Sequence, residues 1–577
     1  MTAPDHVAPI DISQRFDAAA AGDLSSRLHA RFRNDAAMMV AIFAIAAVVR
    51  LAFALLVSDS ANLEGIYYLR LGENLAAGRG YIGLRENGLQ LLYPPLFPGL
   101  IAAGTMLTGH AELFARAVDL VLGASLVIPV FLIARLYFRR EVAVVAALLI
   151  ALQPYLIAMS DIVLSETLYL LLILGGLYAA LLAARSGSWR SAAASGLCFG
   201  GAYLTRPEGI VLAILAAMLL IAVQRRPARR GLGAAALLLA VTALLAAPYV
   251  VWLTRSTGMF LFEGKSADNY ATESQFEAGV RASDIFFGIN DDLSPRGTSM
   301  ASNLEIIQTW KTTPAVAARF ALSRAPRLLP VVATRLLSAR ILGGPTLALF
   351  ALLGLAIGLS RRDTWLVHIV LGGAVVWSAV ALLMAPLQAF PTRYLLPFVP
   401  PFLIWAALGI VTLSHWAAAA YARLMPQIAP SRLAALRVGA LTVFALPLVA
   451  LPLTAIAEID ELRQDLGDNH AQKEAGLWLK THPGAAAPRL RIMDTSATAA
   501  YYAGGVLVPF PSASAAQALR FIEAQHVDVV ILSSRAAGAR SYLRDWIEHG
   551  YPERGAIEIH RERDPLGGQV VVYRRGS

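Results

Sequence analysis

The sequence predicts a multi-span α-helical membrane protein that ends in a small soluble α/β domain, and three observations carry this. Hydrophobic residues fill 57% of the 577 positions and charged residues only 15%, a balance outside that of water-soluble globules. Apolar runs long enough to cross a hydrocarbon core of about 30 Å recur along the chain. From about Glu458 the composition returns to that of an ordinary soluble domain.

The N-terminal 35 residues are polar and show no small-residue cleavage site beside a short apolar core. The first span is therefore expected to be an anchor rather than a removed signal peptide. Spans are expected near 36–57, 113–138, 141–158, 163–184, 191–205, 208–223, 232–253, 341–359, 364–385, 396–414 and 435–457, about 11 in all. Each is helical because hydrocarbon offers a lone segment no other way to satisfy its backbone. The fifth and sixth runs are short and meet at Thr205-Arg-Pro-Glu-Gly209, where proline and glycine end one helix and start the next, giving a hairpin that turns near the outer surface.

The net charge of +10 raises the question of nucleic acid, but the arginines stand in short blocks between apolar runs rather than on one basic face. No nucleic-acid partner is expected. Arg31 and Arg33, Arg139-Arg140, Arg185 and Arg190, Arg225 to Arg230, Arg361-Arg362 and Arg423 mark the cytoplasmic side by the positive-inside rule. The N-terminus is then inside, and the segments beginning at Ser58, Ala158, Arg255, Pro386 and Glu458 are outside. The organisation is a cytoplasmic segment 1–35, a transmembrane domain 36–457 with outer loops 58–92 and 255–340, and a periplasmic α/β domain 458–577. Compact loops and Ala- and Arg-rich composition point to a bacterial inner membrane. The single cysteine, Cys198, rules out an intrachain disulfide.

After the first outer loop, the run at 93–108 is short and proline-broken, so an interfacial or partly dipping helix is expected there. In the second, Arg319, Arg324, Arg327, Arg335 and Arg340 alternate with alanine and leucine, the pattern of amphipathic helices on the bilayer that meet anionic head groups or snorkel beside lipid. In the C-terminal part, Arg489–Asp494, Val506–Pro509, Val527–Ser533 and Val570–Arg574 are strand-like, with helices at 471–481, 513–525 and 537–549. Gly504-Gly505 is a turn and lacks the context of a dinucleotide fingerprint. This domain is expected to cover the membrane site or hold an acceptor.

Ionisable residues near or within spans are costly there and mark candidate sites. Glu64 lies just past the first span, and Tyr68, one helical turn on, shares its face. Asp59 is a reserve acid. Asp161 and Glu166 bracket the start of the fourth span; their spacing of five puts them on different faces of a continuous helix, and Glu166 also serves the helix dipole there. Arg206 and Arg393 each stand at the outer end of a span, where a guanidinium holds a phosphate through two parallel hydrogen bonds or anchors the interface beside an aromatic. Tyr394 and Lys265 complete the binding candidates, with belt or loop packing as the plain alternative. His470, His526, His549 and His560 show no metal-ligand spacing. No cofactor is called for with certainty, and a divalent metal stays open.

Glu64-Gly-Ile-Tyr-Tyr-Leu-Arg-Leu-Gly-Glu-Asn-Leu-Ala-Ala-Gly-Arg-Gly-Tyr81, then Tyr93-Pro-Pro-Leu-Phe-Pro98, Ser165-Glu-Thr-Leu168, Leu204-Thr-Arg-Pro-Glu-Gly209 and Arg393-Tyr-Leu-Leu-Pro397 together resemble the GT-C glycosyltransferases of the protein O-mannosyltransferase and aminoarabinose-transferase type, over roughly 36–415. In that family the first outer loop usually carries aspartate four residues before the tyrosine matching Tyr68; this chain has Glu64. The resemblance implies transfer of a sugar from a polyprenyl-phosphate donor to a lipid, glycan or protein acceptor at the outer face, with inversion. Glu64 is then the base that deprotonates the acceptor, Asp161 the second acid, Arg206 and Arg393 the phosphate ligands, and Tyr68 a pocket wall. Glu166, Lys265 and Tyr394 join the substrate-binding set. Alanine at Glu64 is expected to abolish turnover and spare donor binding. A lipid flippase or transporter is the alternative from another class; it lacks support in the form of a two-fold repeat or paired interrupted helices. A membrane-anchored assembly protein acting through residues 458–577 is a third.

Overall fold

The computed structural model describes residues 18–57, 61–223, 228–311, 314–383, 392–425, 469–482, 489–564 and 567–576, with isolated positions 432, 435 and 439. The span expected at 435–457, the boundary near Glu458 and the reserve acid Asp59 lie outside the described residues.

The chain opens with the long helix α1 (Ala18–Val57) and the amphipathic α2 (Leu63–Ala76). α3 (Leu96–Thr108) follows the Tyr-Pro-Pro turn and ends at Gly109 in the left-handed region, φ 75°, which glycine adopts without the Cβ penalty. The run expected at 113–138 is a helix with a joint at Leu126, α4 (Ala111–Ser125) and α5 (Val127–Tyr137). The next run is also divided, into α6 (Arg140–Leu152) and α7 (Pro154–Ala158). Pro154 removes one donor there. Gln153 repairs the break, its side-chain oxygen accepting from Leu156 N at 2.5 Å and its Nε2 donating to the Ile341 carbonyl at 2.8 Å.

Helix resumes at Glu166, three residues later than expected, as α8 (Glu166–Ser186), then α9 (Trp189–Thr205), α10 (Gly209–Val223) and α11 (Ala228–Thr257). Residues 159–165 are therefore not part of a continuous helix, and the face argument for Asp161 and Glu166 does not apply. The stretch expected as the second outer loop holds α12 (Lys265–Glu277), α13 (Ala282–Phe287), α14 (Asn303–Thr309) and α15 (Pro314–Leu336). α15 turns a stripe inward at every fourth residue, Phe320, Arg324, Leu328 and Val332. Arg324 is thus fully buried and paired with Glu273 at 3.2 Å, which corrects the expectation that it meets head groups.

α16 (Ala339–Leu342), α17 (Gly344–Leu359), α18 (Trp365–Leu382) and α19 (Val399–Leu424) follow among the described residues. α17 and α19 touch backbone to backbone where a Cβ on Gly354 would meet the Trp405 carbonyl and one on Gly409 the Phe350 carbonyl, a contact only small residues allow. Among the described residues six helices are long and apolar enough to cross a membrane, and three more apolar helices, Leu96–Thr108, Gly209–Val223 and Gly344–Leu359, are shorter. Leu55, Leu107, Leu244 and Leu349 turn outward, each at least 66% exposed, as lipid-facing side chains do. The chain is a multi-pass membrane protein.

Among its described residues the C-terminal domain has α20 (His470–Thr481) and a five-stranded sheet in the order β2-β1-β3-β5-β4. β1 (Arg491–Asp494) pairs in parallel with β2 (Val506–Pro509) and β3 (Val529–Ser533); β5 (Gln569–Arg574) runs antiparallel to both β3 and β4 (Ile557–Arg563). β4 was not expected from the sequence, because its residues are exposed or half-buried and charged. The helices are α21 (Thr498–Tyr502), α22 (Ala515–Ala524) and α23 (Ser541–His549); α22 and α23 bring Phe521 and Trp546 into one cluster with Phe510 and Val530, and α21 packs with Ile492 and Leu507.

Candidate active site

Asn62 caps α2, its side chain accepting from Gly65 N at 2.6 Å, so that Glu64 stands in the first turn of a fixed helix. The backing is tight: a Cβ on Gly65 would lie 2.7 Å from the Ile162 carbonyl and 3.0 Å from that of Val163. One turn on, the Tyr68 hydroxyl bonds Ser165 Oγ at 3.0 Å, and its ring packs on Tyr93 and Phe97 with centroids 4.8 and 5.2 Å away. Burial, with the nearby carboxylates of Glu64 and Glu166, pushes the Tyr68 phenol well above its ordinary pKa, so it stays a hydrogen-bond donor.

Glu64 forms a salt bridge with the Arg393 guanidinium, whose Nε also faces Glu166 Oε1 at 3.0 Å. Glu166 takes Arg206 at 2.8 Å on that same oxygen. Arg206 is held at the end of α9, its backbone N–H bonded to the Ala202 carbonyl at 2.7 Å, and its other amino group lies 3.7 Å from Glu208. The Tyr394 ring is flanked by three cations, Arg206 at 5.1 Å, Lys265 at 5.5 Å and Arg393 at 5.8 Å from its centroid, a spacing suited to cation–π attraction. Burial works to raise the Glu64 carboxyl, but Arg393, Lys265 and Arg206 outweigh it and hold Glu64 below its ordinary value. It is a carboxylate at neutral pH.

Glu166, Arg206, Lys265, Arg393 and Tyr394 line one cavity of about 260 Å³. Glu208 and Glu263 stand on its wall; Trp377, Ile210, Val211 and Leu396 make its apolar side. The Glu166 oxygen not engaged by arginine is buried without a hydrogen-bond partner. Further along the same three helices, α8, α10 and α18, an apolar groove of about 300 Å³ is lined by Leu177, Leu215, Leu219, Val370 and Gly373.

Six of the eight residues singled out from the sequence, Glu64, Glu166, Arg206, Lys265, Arg393 and Tyr394, converge here, and Tyr68 packs one turn from Glu64. Asp161 goes elsewhere: it is 3% exposed and pairs with Arg116 at 3.4 Å, and Arg116 in turn holds Glu112 at 2.9 Å. Three acids were missed. Glu208 stands inside the Arg-Pro-Glu-Gly turn, Glu263 in the polar start of the long loop after α11, and Asp119, fully buried and accepting from Leu164 N at 3.0 Å, lies inside an expected span, where its charge alone is the available signal. Among the described residues no three His, Cys, Asp or Glu side chains group as metal ligands.

A helical membrane bundle with an α/β domain attached is the fold this chain shares with solved GT-C glycosyltransferases. Residues 93–252, under half the chain, match the family described as dolichyl-phosphate-mannose-protein mannosyltransferase. The match takes in Asp161, Glu166 and Arg206 and leaves Glu64, Lys265 and Arg393 outside. Among solved structures, the archaeal oligosaccharyltransferase AglB from Archaeoglobus fulgidus, in complex with an inhibitory peptide and a dolichol-phosphate, superposes with a TM-score of 0.56 at 15% identity over 92% of this chain and 74% of that one. ArnT from Cupriavidus metallidurans, bound to undecaprenyl phosphate, superposes with a TM-score of 0.51 at 15% identity over 92% of this chain and 97% of that one. No curated protein matches by sequence.

Proposed function

We propose that this chain is an inverting glycosyltransferase that moves a hexosyl or pentosyl unit from a polyprenyl-phosphate donor to a lipid, glycan or protein acceptor at the periplasmic face of a bacterial inner membrane. The observation that carries it is a charged cavity followed along the same helices by an apolar groove. One molecule needs both: a phosphate to meet Arg206, Arg393 and Lys265, and an isoprenoid chain to line Leu177, Leu215 and Val370. The match to a lipid-phosphate-sugar family over 93–252 and the lipid phosphates in the two superposed structures support the same donor.

Glu64 is the base. It takes the proton of the acceptor hydroxyl as that oxygen bonds the anomeric carbon from the face opposite the phosphate, so the sugar inverts and the lipid phosphate leaves with the bonding pair. The arginines and Lys265 stabilise the charge that grows on the departing phosphate. Glu166 holds the two guanidiniums in place through one oxygen and offers the other to a sugar hydroxyl. Asp161, assigned from the sequence as second acid, acts at one remove: with Arg116 it fixes the 159–165 segment that backs Gly65.

The test is a panel of polyprenyl-phosphate sugars offered to the reconstituted protein, with the product anomer read by NMR. Transfer with inverted configuration supports the proposal; retention, or movement of intact donor across the bilayer without transfer, overturns it.

A further inference from the structure

α21 is only five residues long, yet its two tyrosines reach both elements that frame Glu64. Tyr501 donates to Glu73 Oε1 at 2.9 Å, and its carbonyl accepts from Arg70 Nη2 at 3.1 Å. Arg70 and Glu73 are themselves 3.5 Å apart on α2. The Tyr502 hydroxyl lies 3.0 Å from both carboxylate oxygens of Glu112, at the start of α4. The same hydroxyl accepts the Ala61 N–H at 3.4 Å, one residue before the cap of α2. From Glu112 the ion pairs run through Arg116 to Asp161, and the next two residues turn their carbonyls onto Gly65.

Both rings are 8% exposed. The phenol–carboxylate bonds are charge-assisted, and removing the donors leaves the half-buried Glu73 and Glu112 with only Arg70 and Arg116 to hold them. Other contacts also attach the domain. Leu507 N donates to the Leu84 carbonyl at 3.1 Å, Ser512 Oγ to Asp284 at 2.7 Å, and Arg489 pairs with Glu86. What the tyrosines add is aim: one fixes the middle of α2, the other the residue before its cap and the support behind it.

We propose that α21 clamps the first turn of α2, making Tyr501 and Tyr502 positioning residues for Glu64. This rests on the reading of Glu64 as the base. The C-terminal domain then has a share in the chemistry without touching the substrate.

The full-length Tyr501→Phe/Tyr502→Phe variant in nanodiscs tests it by hydrogen exchange and by kinetics. Amides of residues 61–73 are expected to exchange about tenfold faster than wild type, as local opening of a loosened element requires, while those of β3 and β5 are unchanged. Transfer kcat is expected to fall about tenfold with donor KM moved less than about twofold, and the acid limb of the pH–rate profile to shift. Should the double variant misfold, Tyr502→Phe alone is expected to move the same amides. Unchanged exchange over 61–73, or equal acceleration in β3 and β5, overturns the clamp. Should wild type transfer no sugar, the Glu64 reading fails, and exchange alone decides the clamp.

Discussion

Glu64 and Arg393 lie 329 positions apart and meet in a salt bridge. The pair joins the acid in the first turn of α2 to the cation just before α19, and so ties two segments distant in sequence.

Lys265 contributes to the same field without touching Glu64 in that bridge. Removing a cation weakens the preference for the carboxylate form, so Lys265→Ala is expected to raise the Glu64 pKa. The acid limb of kcat/KM for transfer then moves to higher pH. A limb that stays in place or moves lower would show that Glu64 does not set it.

Gly65→Ala places a Cβ 2.7 Å from the Ile162 carbonyl, a backbone atom that cannot swing away. α2 must shift against 159–165, and Glu64 with it. Transfer kcat is expected to fall about tenfold or more, since small misplacements of a reacting group are costly, with the unfolding temperature changed by only a few degrees. Wild-type kcat in this variant would show that the contact has no bearing on the reaction.

The candidate site was legible where charge sits beside an apolar run. Glu64, Arg206 and Arg393 stand out because an ionisable residue at a span end needs a reason, and their motifs carry the family resemblance. Which partner each acquires was not legible. The sequence assigned the second acid to Asp161, and the break at 159–165 gives Asp161 to Arg116 and turns Glu166 to both arginines. Local spacing holds no information on that exchange, because the partners come from α4, α9 and the segment before α19. The domain sheet was legible through its buried strands, Val506–Pro509 to the residue, and failed at Ile557–Arg563, where no buried face sets a period of two.

In the apolar groove, a Cβ on Gly373 would meet nothing within 4 Å. Gly373→Phe is therefore expected to fold and to fill the groove. Transfer from an undecaprenyl-phosphate sugar should show KM raised about tenfold, while a donor with a two-isoprene tail is used as by wild type. Equal loss with both donors would place the tail elsewhere.

Asp494 ends β1 with no exposed surface, and burial pushes its carboxyl up to about 7, despite hydrogen bonds from Thr495 N at 2.6 Å and Ser496 N at 3.2 Å. Below about pH 4 both folded and unfolded chains hold the proton; between about 4 and 7 only the folded one does. Stability therefore falls as pH rises through that window, by on the order of 4 kcal/mol, and levels off above it. Asp494→Asn is expected to flatten this fall, so that its unfolding temperature exceeds wild type at pH 8 and not at pH 4. A parallel profile in the two proteins would exclude Asp494 as the source.

Single-turnover transfer from a radiolabelled polyprenyl-phosphate sugar, comparing wild type with Glu64→Gln and Glu64→Ala in the same lipid, tests the central claim most directly. Loss of at least about a hundredfold in rate, with undecaprenyl phosphate binding within about threefold of wild type, is the expected result. Substantial transfer by either variant would contradict Glu64 as the base.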